Sequence, residues 1–159
     1  MFSLPEIIDL AVRIEQNGAK VYREAGDSVA DASLASMLLR LKEEEEDHEK
    51  WFTSLKTGLE KSEGDPRMEE MGQAVLQGVL GDQAFSLEEI DFSKIKEVKG
   101  LLKLSLEFEK DTILFYQMLG TFLEDEKTLD QLKRIIAEEN RHVQALEGFL
   151  LEAQERKEL

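Results

Sequence analysis

The chain contains two histidines, and each stands three residues after a glutamate, in Glu45-x-x-His48 and Glu139-x-x-His142. Positions three apart on an α-helix are neighbours on one face, so each pair offers a carboxylate and an imidazole side by side to a metal ion. Taken singly, either pair is matched by a plainer explanation, a solvated acidic helix with an incidental histidine. They do not stand singly. The shift of 94 residues that carries Glu45 to Glu139 and His48 to His142 also carries Glu15 to Glu109, Tyr22 to Tyr116, Gly26 to Gly120 and Asp31 to Asp125. Apolar positions follow: Ile14 to Phe108, Leu38 to Leu132 and Leu41 to Ile135. The chain is a duplicated unit in which each copy carries Glu, then Tyr, then Glu-x-x-His, and such a repeat governs every later inference about the fold.

Four carboxylates and two neutral imidazoles facing one another would hold two divalent cations, whose charge the four carboxylates neutralise. Without the cations the same set is costly, because carboxylates in a low-dielectric core repel and an isolated buried charge is strongly disfavoured. The assignment that follows makes Glu15 and Glu109 terminal ligands, Glu45 and Glu139 bridges, and His48 and His142 one imidazole for each metal, with no catalytic residue beyond these ligands. A mixed oxygen and nitrogen set without thiolate suits iron or manganese, and zinc also fits it.

Helices must position these groups. The first is expected to start at Ser3, which caps while Glu6 completes a capping box and Pro5 sits in the tolerated first turn. Its inward stripe is Ile8, Ala11, Glu15, Gly18, Tyr22 and Ala25, at the alternating spacing of a bundle helix, and Gly26 is expected to end it. The second, capped near Asp31, carries Leu34, Leu38, Leu41, Glu45, His48, Phe52 and Leu55 inward and runs to about Lys61. Residues 62–94 read as a crossover with a short helix over 68–80. The third helix places Leu102, Ser105, Glu109, Thr112, Tyr116 and Leu119 inward. The fourth, after Asp125, places Leu132, Ile135, Glu139, His142, Leu146 and Phe149 inward. Short connections make each pair an antiparallel hairpin, and the long crossover can span the ~45 Å of a 30-residue helix. The expected fold is all-α, one domain over 1–159: a four-helix bundle of hairpin 1–61, crossover 62–94 and hairpin 95–159, related by a pseudo-two-fold axis.

Bulk properties narrow the partners. A length of 159 residues suits one domain with a continuous core. Charged residues make up 35% and hydrophobic ones 42%, which excludes a disordered chain. A net charge of −15 opposes nucleic acid and favours a cation. The chain has no cysteine, which removes disulfides, thiolate zinc sites and iron–sulfur clusters. No signal peptide and no membrane-spanning apolar run is evident, so a cytoplasmic location away from the membrane is expected. The charge-rich composition is of the kind found in thermophilic proteins.

At these residues the sequence resembles the rubrerythrin family, within the wider ferritin-like diiron group whose Glu and Glu-x-x-His pattern is well described. Ile14-Glu15, Gly18, Tyr22, Glu45-x-x-His48, Glu109-x6-Tyr116 and Glu139-x-x-His142 carry the resemblance, which covers both hairpins. It implies two irons cycling between Fe(II) and Fe(III), with hydrogen peroxide or dioxygen as substrate, electrons from a separate donor protein, a role in oxidative stress, and association as a homodimer. Rubrerythrins proper usually add a rubredoxin module with four cysteines, absent here, so the electrons would come from another protein. They also tend to carry a further Glu one turn after the third-helix ligand, where this chain has Thr112. The bacterioferritin family shares the symmetric ligand set, but its haem ligand is a Met directly after the second-helix Glu. Here that residue is Glu46, so no haem is expected.

Several residues keep two readings. Tyr22 and Tyr116 lean toward the Glu layer and are candidates to steady a ligand; a buried tyrosine satisfied elsewhere is the alternative. Glu44 and Glu138 correspond by the repeat and are candidates to orient an imidazole, although a solvated position is the simpler reading. Gly18 and Thr112 either leave room for dioxygen or peroxide or serve close helix packing. Trp51, Phe85 and Phe92 read as core or oligomer-contact residues. Two function classes remain: a diiron oxidoreductase reducing peroxide or dioxygen, and a metal-handling protein that oxidises and stores iron or holds a static dimetal site.

Overall fold

A computed structural model of the protein describes residues 4–60 and 98–158. All regular structure among them is helical: α1 (Leu4–Ser28), α2 (Ala32–Glu60), α3 (Val98–Gly120) and α4 (Glu126–Glu158). The Ser3 cap, the short helix expected over 68–80, and Phe85 and Phe92 lie outside the described residues. Both hairpin turns are closed by the aspartates that the repeat pairs. Asp31 accepts the backbone N–H groups of Ser33 and Leu34 at 2.9 and 3.1 Å through its side chain. Asp125 accepts that of Thr128 at 3.0 Å. Each satisfies amide donors that the first turn of a helix leaves unpaired.

One terminus differs from expectation. α1 continues through Gly26 to Ser28, and the Val29 N–H still donates to the Ala25 carbonyl at 3.1 Å. Gly26 is not a helix stop, because no described glycine adopts the positive φ that a left-handed cap requires. It serves close packing instead: a Cβ there would come within 3.1 Å of Leu39 Cδ2 on α2.

The two hairpins pack against each other with their equivalent helices antiparallel. Tyr22 reaches Glu109 while Tyr116 reaches Glu15, and His48 reaches Glu138 while His142 reaches Glu44. In both pairs of helices the numbering rises on one as it falls on the other, as a two-fold axis perpendicular to the bundle demands. The inward stripes are buried as their spacing predicts, with partial exposure only at the ends, at Leu55 and Phe149. The core separates into two apolar clusters. One is built around Ile8, Ile14, Phe52, Phe108 and Tyr116, the other around Tyr22, Leu38, Leu41, Leu102 and Leu146. The polar set lies on the same stripes between them.

Two exposed helical glycines serve no such contact. At Gly58 and Gly148 an added Cβ would meet nothing within 4 Å among the described residues. Gly148→Ala should therefore raise the unfolding free energy by about 0.5–1 kcal/mol, through helix propensity alone. Urea denaturation would check it, and a loss of stability would contradict the open surroundings of that position.

Candidate metal centre

Each hairpin delivers three of the six groups, and each lies on an inward stripe flanked by apolar residues, which is why the helix must carry it into the core. Glu15, Glu45, Glu109 and Glu139 are fully buried, and His48 and His142 nearly so. One ligand atom from each of Glu15, Glu45, His48 and Glu139 can be chosen so that all four lie within 4.8 Å of one another. The same holds for Glu45, Glu109, Glu139 and His142. The two groups share Glu45 and Glu139. Each adds one glutamate and one histidine of its own. The imidazole rings lie nearly parallel, 19° apart, with centroids separated by 6.3 Å.

The histidines turn Nδ1 toward this set. His48 Nδ1 is 2.8 Å from Glu139 Oε1 and 3.5 Å from Glu15 Oε1. His142 Nδ1 is 3.1 Å from Glu45 Oε1, 3.2 Å from Glu139 Oε2 and 3.4 Å from Glu109 Oε1. Their Nε2 atoms point the other way and cross between hairpins. His48 Nε2 lies 2.5 Å from Glu138 Oε2, and His142 Nε2 lies 2.6 Å from Glu44 Oε2. The simpler reading of Glu44 and Glu138 as solvated groups is thus corrected: each is partly exposed, yet bonded to a buried imidazole. Their signal in the sequence is the repeat itself, which sets both one residue before a shared glutamate.

Tyrosine hydroxyls complete the wiring, again between hairpins. Tyr116 donates to Glu15 Oε1 at 2.5 Å, and Tyr22 donates to Glu109 Oε1. Gly18 does not leave space for a small molecule. A Cβ on it would lie 2.8 Å from Glu45 Oε2, so the carboxylate already fills that volume. Thr112, its counterpart, donates its hydroxyl to the Phe108 carbonyl at 2.8 Å.

Burial, followed by the charge of Glu139, pushes the Glu109 carboxyl up to about 8. Burial and then the Glu139 charge also hold Glu15 well above the usual carboxylate range, and burial with the charges of Glu15 and Glu109 does the same for Glu45. Burial alone would lower His48, but its hydrogen bond to Glu139 and that carboxylate's charge outweigh it and raise the ring to about 9. His142 is raised further still by its carboxylate neighbours, again against burial. Metal-free, the cluster retains protons that a cation would displace.

The donor set fits a pair of dications. Glu15 Oε2, both oxygens of Glu45, Glu109 Oε2 and Glu139 Oε2 are buried without a hydrogen-bond partner among the described residues. Glu45 Oε1 approaches His142 Nδ1 without hydrogen-bonding to it. Uncompensated carboxylate oxygens in an apolar core are among the costliest features a fold can contain, and cations are what such oxygens can coordinate.

The family model of rubrerythrin matches residues 6–150, both hairpins and the segment between them. The chain belongs to the rubrerythrin family. Its fold is ferritin-like: a Thermotoga maritima protein of known crystal structure, described as a ferritin-like diiron-carboxylate protein, superposes with a TM-score of 0.70 at 20% identity, over 96% of this chain and 97% of the other. No curated protein is similar enough to the sequence to count as a relative. As a rubrerythrin-family chain without cysteine it lacks the means to hold an iron–sulfur cluster. No helix among the described residues is long and apolar enough to cross a membrane.

Proposed function

We propose that the protein is a diiron-carboxylate oxidoreductase that reduces hydrogen peroxide or dioxygen with electrons from an external donor protein. The observation that carries this reading is the pair of overlapping buried groups sharing Glu45 and Glu139. In that reading Glu45 and Glu139 would be shared by the two ions, and Glu15 with His48 and Glu109 with His142 would each complete the hold on one of them. Two irons there would supply the two electrons that, with two protons, convert peroxide to two waters. The protein's own groups do the rest. Tyr22 and Tyr116 fix the terminal carboxylates by donating to one oxygen of each, and the apolar clusters on either side keep water from the set. In this reading the electrons would come from a separate donor, because the sequence has no cysteine with which to hold a redox centre of the rubredoxin type.

Anaerobic loading with Fe(II) should saturate at two ions per chain. Peroxide should then oxidise both within one mixing event, and an added reductant should sustain catalytic consumption. Oxidation without sustained consumption, accompanied by iron accumulating well beyond two per chain, would instead assign the protein to iron handling.

A further inference from the structure

We propose that Trp51, Phe52 and Tyr116 form an aromatic path that carries single electrons from the surface of α2 to the Glu15 half of the centre. The inference rests on the oxidoreductase reading above and deepens it by naming where electrons enter. Phe52 and Tyr116 are fully buried, whereas Trp51 is half-buried and packs on the edge of the same apolar cluster. The three rings lie in series. Trp51 and Phe52 meet edge to face with centroids 4.9 Å apart, and Phe52 and Tyr116 are 5.0 Å apart, both within the span of an aromatic contact. The Tyr116 hydroxyl then donates to Glu15 Oε1 at 2.5 Å, so the path ends on a carboxylate of the buried set.

The repeat does not duplicate this path. The shift of 94 residues that takes Tyr22 to Tyr116 takes Trp51 to Ala145 and Phe52 to Leu146. Tyr22, the equivalent phenol, has the His142 ring as its neighbour at 6.5 Å, and its cluster is built from Leu38, Leu41, Leu102 and Leu146. A bundle that repeats all six candidate ligands but sets these two rings on one side only has a task for that side alone.

Electron counting gives the task. Dioxygen becomes two waters by taking four electrons, and four protons from solvent; two Fe(II) ions supply two of those electrons. Tyrosine and tryptophan are the side chains that give up a single electron most readily, and Tyr116 and Trp51 hold the other two. Tyr116 gives one electron inward and its hydroxyl proton to Glu15 Oε1. An electron from Trp51 and the returning proton restore it, while the indole loses its Nε1 proton to water. Tyr116 then gives a second electron by the same step. One electron from the external donor to each ring, with a proton to the indole from water and to the phenol from Glu15, closes the cycle.

Trp51 is the only tryptophan and Tyr22 and Tyr116 are the only tyrosines, so pulse radiolysis can read the path directly. Azide radical in solution removes an electron from an accessible indole. In the full chain loaded with zinc, which is redox-inert, the indolyl absorption of Trp51 should decay at a rate independent of protein concentration while the phenoxyl absorption grows in step. Trp51→Phe should abolish both signals, because the two phenols are fully buried. Phe52→Leu, a replacement that matches Leu146 in the other copy, should keep the indolyl signal and lose the phenoxyl growth, as should Tyr116→Phe. Phenoxyl growth that survives in any of these three variants, or its absence in the unaltered chain, overturns the path. For the inward step, the Fe(II)-loaded chain freeze-quenched after mixing with dioxygen should show an organic radical by electron paramagnetic resonance, purely tyrosyl in Trp51→Phe and lost in Tyr116→Phe. An unaltered chain without that radical overturns the step. Failure to take up two zinc ions overturns the metal reading instead, and radiolysis of the metal-free chain then decides the path by the same outcomes.

Discussion

The metal-free protein should lose thermal stability as pH rises from about 6 to 9, and saturation with Mn(II) or anaerobic Fe(II) should reverse that trend. Glu15, Glu45 and Glu109 hold protons in the folded state at pH values where the unfolded chain has lost them, Glu109 up to about 8. His48 behaves likewise from its ordinary 6.5 up to about 9. A folded state that binds more protons than the unfolded one loses stability as pH increases. The contribution of His48 is fully present below 6.5 and disappears as pH passes about 9; those of the carboxyls begin to fade once pH exceeds their unfolded values. Glu44 is shifted the other way, lowered by its hydrogen bond to His142, but its contribution is lost only at acid pH, outside this window. Cations bind the deprotonated forms, so their affinity grows as the protons leave. At a free ion concentration about 1,000 times the dissociation constant, one site adds about 4 kcal/mol, worth roughly 10 °C in a chain of this size. Calorimetric scans at pH 6, 7.5 and 9, with and without metal, would check both trends. A metal-free melting temperature that is flat or rising across that range, or one that metal leaves unchanged at pH 8, would contradict the account.

The six-residue set is legible in the sequence because of the repeat: one histidine after a glutamate is commonplace, but the same shift applied to Glu15, Tyr22 and Asp31 leaves little freedom. A repeat identifies equivalent residues, however, and equivalence is not adjacency. Tyr22 stands seven residues after Glu15 on one helix, yet its hydroxyl goes to Glu109 on another, because the two-fold axis brings the start of one stripe beside the end of its copy. The same geometry takes Glu44 and Glu138 away from their own helices. They lie one position off the inward stripe, where charged residues normally face water, and only the reach of a glutamate side chain toward a neighbouring helix changes that. Glycine is ambiguous for a different reason. Gly26 resembles a stop in the sequence, but in space it is a contact point for Leu39; a residue without a side chain announces that something comes close and does not say what. The segment 62–94, expected as a crossover, lies outside the described residues; among those described, the two hairpins supply the candidate site.

At Gly18 the thing that comes close is Glu45, a proposed ligand, and a substitution there should have a large effect on binding. In Gly18→Ala the new methyl would sit 2.8 Å from Glu45 Oε2 and 3.2 Å from both Glu45 Cδ and Phe108 Cε1. The Phe108 ring needs to yield only a few tenths of an ångström. The carboxylate must move, and it is the free end of a side chain whose two oxygens make no hydrogen bond. The fold can therefore relax by swinging Glu45 aside, and the helix gains about 1 kcal/mol from replacing glycine by alanine. The metal-free melting temperature should stay within a few degrees of the parent. Binding should not. Glu45 belongs to both four-residue groups, so displacing it would disturb both ions, and the affinity for Mn(II) or Zn(II) should fall on the order of 100-fold, the upper end of what removal of a single outer hydrogen-bond partner costs. Gly148→Ala, with nothing near its Cβ, is the control that gains helix propensity and leaves binding intact. Isothermal titration of the two variants beside the parent separates the effects. If Gly18→Ala binds two ions as tightly as the parent, the close approach of Glu45 to α1 is not the position from which it serves the metals, and its place as the shared ligand of both would have to be given up.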